Sequence, residues 1–170
     1  MPRSRSHVHS VKKELDQTSK PEDDLALVIA ESFVHPAHYP DTRVVDGNLY
    51  VISRLPEMDA HISALIRQKQ KLVFGYDTTF KCGEFWTSIL IFRHPYLEDH
   101  RVVPCAFLFH STKEEVAHNG LFREVVKRVP AMNSDQVTII TDRELGIKNA
   151  IRQALPKAFH IFCYKHMADV

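Results

Sequence analysis

Three runs of β-branched and aromatic residues, Leu72–Phe80, Phe85–Phe92 and Val102–His110, follow one another with only short polar breaks between them. A Lys81-Cys82-Gly83 turn and a polar stretch from Arg93 to Arg101 separate them, so the spacing predicts an antiparallel meander. The second and third runs are apolar at both alternating positions, which predicts central strands covered on both sides. Pro104 fits near a strand start or marks an edge, because proline donates no ladder hydrogen bond.

Beyond the meander the period changes. Ser111 and Thr112 precede Glu114 and Glu115 in capping-box spacing, and Ala117, Leu121, Phe122, Val125 and Val129 recur at helical steps until Pro130. Gly120 weakens that helix by about 1 kcal/mol relative to alanine. Val137–Thr141 reads as a short buried strand, Glu144–Leu155 as a helix with Ile147, Ile151, Ala154 and Leu155 on one face, and Ala158–Phe162 as another strand. A third helix is expected to begin at Cys163. Helical crossovers imply parallel pairing of the later strands. The expectation is an α/β domain: an RNase H-like, mixed five-stranded sheet with helices on both faces and an incomplete last helix.

The 170 residues, 44% apolar and 25% charged, suit one such domain plus a flank. Residues 1–24 hold few bulky apolar side chains and are expected to be a disordered tail, since they bury too little to offset the entropy of ordering. Residues 25–70 read as a connector. Leu25–Phe33 is expected to be a short helix, His35–Asp46 a loop with two prolines, Gly47-Asn48 a turn, Leu49–Ile52 extended, and Met58–Arg67 an amphipathic helix through Ile62, Leu65 and Ile66. A formal net charge of +1 gives no bulk attraction for a polyanion, so any nucleic-acid contact must be local. The apolar run Leu25–Ala30 falls far below the roughly 20 residues of a membrane span, and three widely spaced cysteines argue against a disulfide framework. A soluble intracellular protein without a membrane partner is expected.

Two carboxylates stand out. Asp77 lies in Gly75-Tyr76-Asp77-Thr78-Thr79-Phe80, inside an otherwise apolar strand, where an ionised group is costly unless paired or bound to a cation. Asp142 follows the strand Val137–Thr141 where the chain turns into a helix. Tyr-Asp77-Thr-Thr-Phe80, Thr141-Asp142-Arg-Glu-Leu and Cys163-Tyr-Lys-His166 together resemble the MULE-type (Mutator-like) transposase domain of the DDE superfamily, over roughly Lys71 to Met167. That resemblance implies a domain over residues 71–170, a transposon-derived protein, nuclear localisation, and DNA as the partner rather than a small molecule. It implies DNA cleavage and strand transfer with two Mg²⁺ or Mn²⁺ ions, Asp77 and Asp142 being the catalytic and metal-binding residues. The family's third acidic residue, normally a glutamate further downstream, is missing here. The expectation is therefore a C-terminally truncated chain with little or no strand-transfer activity. The alternative is a domesticated, noncatalytic nucleic-acid or protein interaction module; a homo-oligomer stays open.

Plainer readings stand beside these. Asp77 also suits a main-chain or arginine partner. Asp142 also suits a helix N-cap, with Thr141 and Glu144 in capping-box spacing. Cys163 and His166 are half the ligand count of a structural zinc site, so a buried thiol beside a helix-start histidine competes with zinc. His94, His100, His110 and His118 show no ligand spacing and read as solvated or structural. Phe85, Trp86 and Phe92 read as core, and Arg123, Lys127 and Arg128 as a solvated helix face.

Overall fold

The computed structural model describes residues 30, 33–36, 41–45, 48–82 and 85–164. The expectations for residues 1–29 and for a helix beyond Tyr164 lie outside those residues. In chain order the elements are β1 (Asp41–Val45), β2 (Asn48–Arg54), α1 (Pro56–Arg67), β3 (Leu72–Cys82), β4 (Phe85–Arg93), β5 (Val102–His110), α2 (Glu115–Arg128), β6 (Val137–Thr141), α3 (Leu145–Ala154) and β7 (Phe159–Phe162). They make a mixed α/β unit around one sheet in the order β1-β2-β5-β4-β3-β6-β7. Among the described residues no helix is long and apolar enough to cross a membrane.

The expected meander β3-β4-β5 is present, and β6 and β7 add in parallel on the β3 side. The sheet has seven strands rather than five, because β1 and β2 extend it antiparallel beyond β5. β1 falls in the stretch read as loop. Pro36 and Pro40 both precede that strand, and the Asp46-Gly47 dipeptide between the paired positions Val45 and Asn48 is a hairpin signal. Pro104 sits inside central β5 yet leaves no gap there. β2 pairs with β5 only over Ala106–His110, and on the other side Pro104 meets Ile91 just past a register irregularity.

A second correction concerns the faces. Leu72, Phe74 and Tyr76 of β3, Leu90 and Phe92 of β4, and Val137 and Ile139 of β6 are in register and point to one side. Ile62, Leu65 and Ile66 of α1, Leu121, Phe122 and Val125 of α2, and Ile147 and Ile151 of α3 all join that single buried cluster. Among the described residues the helices therefore cover one face only. On the opposite face Ile89, Ile91, Phe107, Phe109 and Ile140 are half-buried, while Phe159 and Ile161 are 59% and 52% exposed.

The helices start by other means than the sequence suggests. α1 begins two residues early, with Pro56 at its first turn, where a missing N–H costs nothing. Neither Ser111 nor Thr112 caps α2, whose N-cap is Glu114 without a side-chain bond. The Ser111 hydroxyl instead accepts the Leu49 N–H at 3.0 Å and donates to Asn48 Oδ1, and Thr112 Oγ1 meets the Tyr50 hydroxyl, so the pair ties the end of β5 to β2.

α3 docks tightly on the start of α2 because of a glycine. A Cβ on Gly146 would lie 3.2 Å from the Glu115 backbone nitrogen and 3.4 Å from the Lys113 carbonyl oxygen. Both neighbours are backbone and yield little. Gly146→Val is expected to lower stability by about 1–3 kcal/mol through overpacking, seen as a lower urea midpoint with an unchanged slope. An unchanged midpoint would show that the two helix ends separate freely.

Candidate functional site: an aspartate pair at the end of parallel strands

β3 and β6 run parallel in the register Leu72↔Val137, Val73↔Thr138, Phe74↔Ile139 and Gly75↔Ile140. Two residues further along the same register stand Asp77 and Asp142. Neighbouring strands lie about 4.8 Å apart, so the two aspartates occupy adjacent positions. Alternation along β3 puts Tyr76 on the helix-covered side and Asp77 on the open side, and the register carried one residue past Thr141, the last residue of β6, brings Asp142 level with Asp77. β7 continues the pattern, since Thr141 pairs with Phe162 and the next residue is Cys163. The rim thus reads Asp77, Asp142, Cys163 across three parallel strands.

Asp77 is half-buried, and among the described residues no hydrogen bond or ion pair engages its carboxylate. Its plainer reading, a strand aspartate held by an arginine or a main-chain group, finds no partner there. Asp142 is half-committed. Its Oδ1 accepts the Glu144 N–H at 3.0 Å, an Asx turn that fixes the carboxylate over the β6–α3 connection. The capping box does not form: α3 has Glu144 as N-cap without a side-chain bond, and Thr141 Oγ1 donates to the Asp142 carbonyl and lies 2.9 Å from His160 Nε2.

Cys163 is half-buried, and its N–H donates to the Thr141 carbonyl at 2.6 Å. His166 lies outside the described residues, so the pair is not assembled here. Among the described residues no three His, Cys, Asp or Glu side chains cluster as a metal would require. Two carboxylate oxygen sources side by side nevertheless suit a hard divalent ion, which commonly binds through one or two carboxylates and keeps its waters for a phosphate substrate.

Directly under the aspartates lies a polar layer that sequence reading passed over. His118 and His110 are fully buried, not solvated. The Tyr76 hydroxyl is 2.7 Å from His118 Nδ1, and His118 Nε2 is 3.4 Å from Glu144 Oε1. Alongside, His110 Nδ1–H donates to the Thr112 carbonyl at 2.6 Å, which leaves Nε2 to accept the Ser88 hydroxyl at 2.8 Å. Thr78 Oγ1 completes the run, 2.7 Å from Ser88 Oγ. A signal for His118 existed: it stands three and four residues before Leu121 and Phe122, on the apolar side of α2.

Burial sets the charges of this layer. It raises the Tyr76 phenol, and it pushes His118 down to about 3, with lesser contributions from His110 and Lys113. Glu144 is raised by its own burial and by Asp142 and Asp77, against Lys113, which lowers it. Glu144 and both aspartates therefore share one electrostatic neighbourhood. The Lys113 ammonium also stacks on Trp86, 4.1 Å from the ring centre, so Trp86 is a lid for a cation rather than plain core.

The family model described as the MULE transposase domain matches residues 73–169, more than half of the chain. No curated protein and no solved structure matches.

The depressed histidine gives a pH prediction. A group whose folded value lies below its ordinary 6.5 contributes stability that is complete above 6.5 and is lost as pH falls toward about 3. Urea unfolding should weaken across that window by up to about 1.4 kcal/mol per pH unit from His118 alone. His118→Gln should flatten the slope; an identical slope in both proteins would show that His118 takes up its proton without unfolding.

Proposed function

The chain belongs to the MULE transposase domain family, and on that premise we propose that residues 71–170 form a DDE transposase-type domain of RNase H-like architecture acting on DNA. The five strands β5-β4-β3-β6-β7, with the first three antiparallel and the last two parallel, support that architecture. The observation that carries the functional reading is the parallel register of β3 and β6, which, continued two residues past Gly75↔Ile140, brings Asp77 level with Asp142.

Asp77 and Asp142 would hold Mg²⁺ or Mn²⁺, which when bound activates a hydroxyl nucleophile and stabilises the leaving oxygen of a phosphodiester. The chain's own part is positional. β3 presents Asp77 from a rigid central strand, and the Glu144 amide fixes the Asp142 carboxylate, so neither aspartate has to be ordered when a ligand arrives. Lys113, held over Trp86 beside Glu144, supplies a positive group at the same rim for a phosphate.

Held by Asp77 and Asp142 alone a divalent ion would bind weakly, so cleavage and strand transfer resting on these two carboxylates would be slight. Cys163 with His166 would add zinc only if further ligands joined them. Under this reading the protein would work on chromosomal DNA in the nucleus. The second reading, a noncatalytic interaction module, draws on the same shortage of ligands among the described residues.

Calorimetric titration with Mn²⁺ separates them. The wild-type chain should give heat that disappears in Asp77→Ala and in Asp142→Ala. Heat that survives both substitutions, or none from the wild type, would remove the metal-dependent reading and leave the interaction module.

A further inference from the structure

We infer that His118 is a positioning residue for the aspartate pair, tying the strand that carries Asp77 to the turn that carries Asp142. The pair's metal role belongs to the reading above; the tie itself rests on side-chain geometry.

His118 sits at the buried face of α2, fully inaccessible, with one ring nitrogen aimed at each of two elements. Nδ1 is 2.7 Å from the hydroxyl of Tyr76, the residue immediately before Asp77. Nε2 is 3.4 Å from Oε1 of Glu144, the residue whose N–H holds Asp142 Oδ1 at 3.0 Å. The path from one aspartate to the other therefore runs Asp77, Tyr76, His118, Glu144, Asp142. No other side chain among the described residues touches both Tyr76 and Glu144 by a hydrogen bond or ion pair.

Hydrogen-bond bookkeeping fixes the tautomer. Nε2 faces a carboxylate oxygen, which accepts, so neutral His118 carries its ring proton on Nε2 and Nδ1 is left to accept from the Tyr76 phenol. His118 Nε2 and Glu144 Oε1 are both buried without a hydrogen-bond partner and face one another at 3.4 Å. A reorientation of the Glu144 carboxylate toward the ring N–H would satisfy donor and acceptor together, and leaving both orphaned is costly. A packing role alone does not explain this arrangement: phenylalanine would fill the same edge-to-face contacts with Tyr76 without burying two nitrogens. An outer partner of this kind commonly changes metal affinity 10–100-fold when removed.

The test uses the full chain and two readouts, amide hydrogen exchange at Glu144 without metal and Mn²⁺ affinity by calorimetry. In His118→Phe the Glu144 amide should exchange at least about tenfold faster and Mn²⁺ should bind about 10–100-fold more weakly, while exchange at Ile139 in the core of β6 is unchanged. His118→Gln, whose amide nitrogen can still donate to Glu144, should restore both values. Tyr76→Phe, which removes only a hydroxyl, repeats the loss if His118→Phe does not fold. Glu144 exchange at the wild-type rate in His118→Phe, or in Tyr76→Phe in its stead, overturns the tie. A wild-type chain that takes up no Mn²⁺ sinks the functional reading instead, and the exchange rates still decide whether His118 holds the turn.

Discussion

The parallel register between β3 and β6 is the constraint on which the site depends. Side chains alternate with a period of two, so a slip of one residue would turn Asp142 inward, to the level of Tyr76, and bring Thr141 out beside Gly75. What prevents the slip is the core. Leu72 with Val137 and Phe74 with Ile139 are matched apolar pairs, all fully buried under the helices, and a one-residue shift would drive Thr138 and Ile140 into that space in their place. The energy that sets the position of two polar groups is thus the burial of four apolar ones, at about 25 cal/mol per Å².

The same alternation divides the sheet into two faces with different tasks. On β3 the sequence Leu-Val-Phe-Gly-Tyr-Asp sends Leu72, Phe74 and Tyr76 into the core and Val73, Gly75 and Asp77 to the open side. Gly75 matters there because a Cβ would come within 3.1–3.2 Å of the Ile91 side chain, its partner on β4, so the glycine lets an isoleucine lie flat beside the aspartate. Two polar groups interrupt the apolar helix-covered side: Arg54 of β2, bonded to Asp59 of α1 and to the Glu124 carbonyl of α2, and under the rim the layer of Tyr76, Ser88, His110 and His118. Such a layer is tolerable only when nearly every member is satisfied, and its rigidity passes directly into the strand ends above it.

Much of this was legible in the chain and some was not, for reasons that lie in the physics of each signal. The runs Leu72–Phe80, Phe85–Phe92 and Val102–His110 are rich enough in β-branched and aromatic residues to mark strands, and Ile147 with Ile151 marks α3, so local patterns sufficed for the meander and the crossovers. Asp77 was visible because a charge in an apolar strand violates the pattern around it. β1 was not: five residues beside two prolines leave almost no periodicity to detect. The caps failed because Ser111 and Thr141 have hydroxyls that serve distant strands as readily as a nearby helix, and only tertiary contacts choose between the two. The covering of one face rather than two was hidden as well, since half-buried isoleucines and phenylalanines read the same as fully buried ones. For His118 the choice between a solvated and a structural histidine stayed open for the same kind of reason: a lone histidine announces neither its burial nor its partners, although its place beside Leu121 and Phe122 marks the side of α2 on which it lies.

Two carboxylates at neighbouring strand positions repel one another, and like charges directly opposite weaken a sheet. The core pairs below them can bear that cost because they are buried whether or not a cation is present, while the open face leaves the aspartates in contact with water, where repulsion is screened most. Moving the pair one residue earlier would bury it under α2 and make the repulsion prohibitive; moving it later would carry Asp142 still further from Thr141, the last residue of β6, and away from the Glu144 amide that holds it. The end of the parallel pairing is therefore the position at which two aspartates can be both rigid and hydrated. Those are the two properties an oxygen-ligand site for a divalent ion requires, and the Glu144 amide supplies the rigidity on the one carboxylate that lies past the last paired residue of its strand.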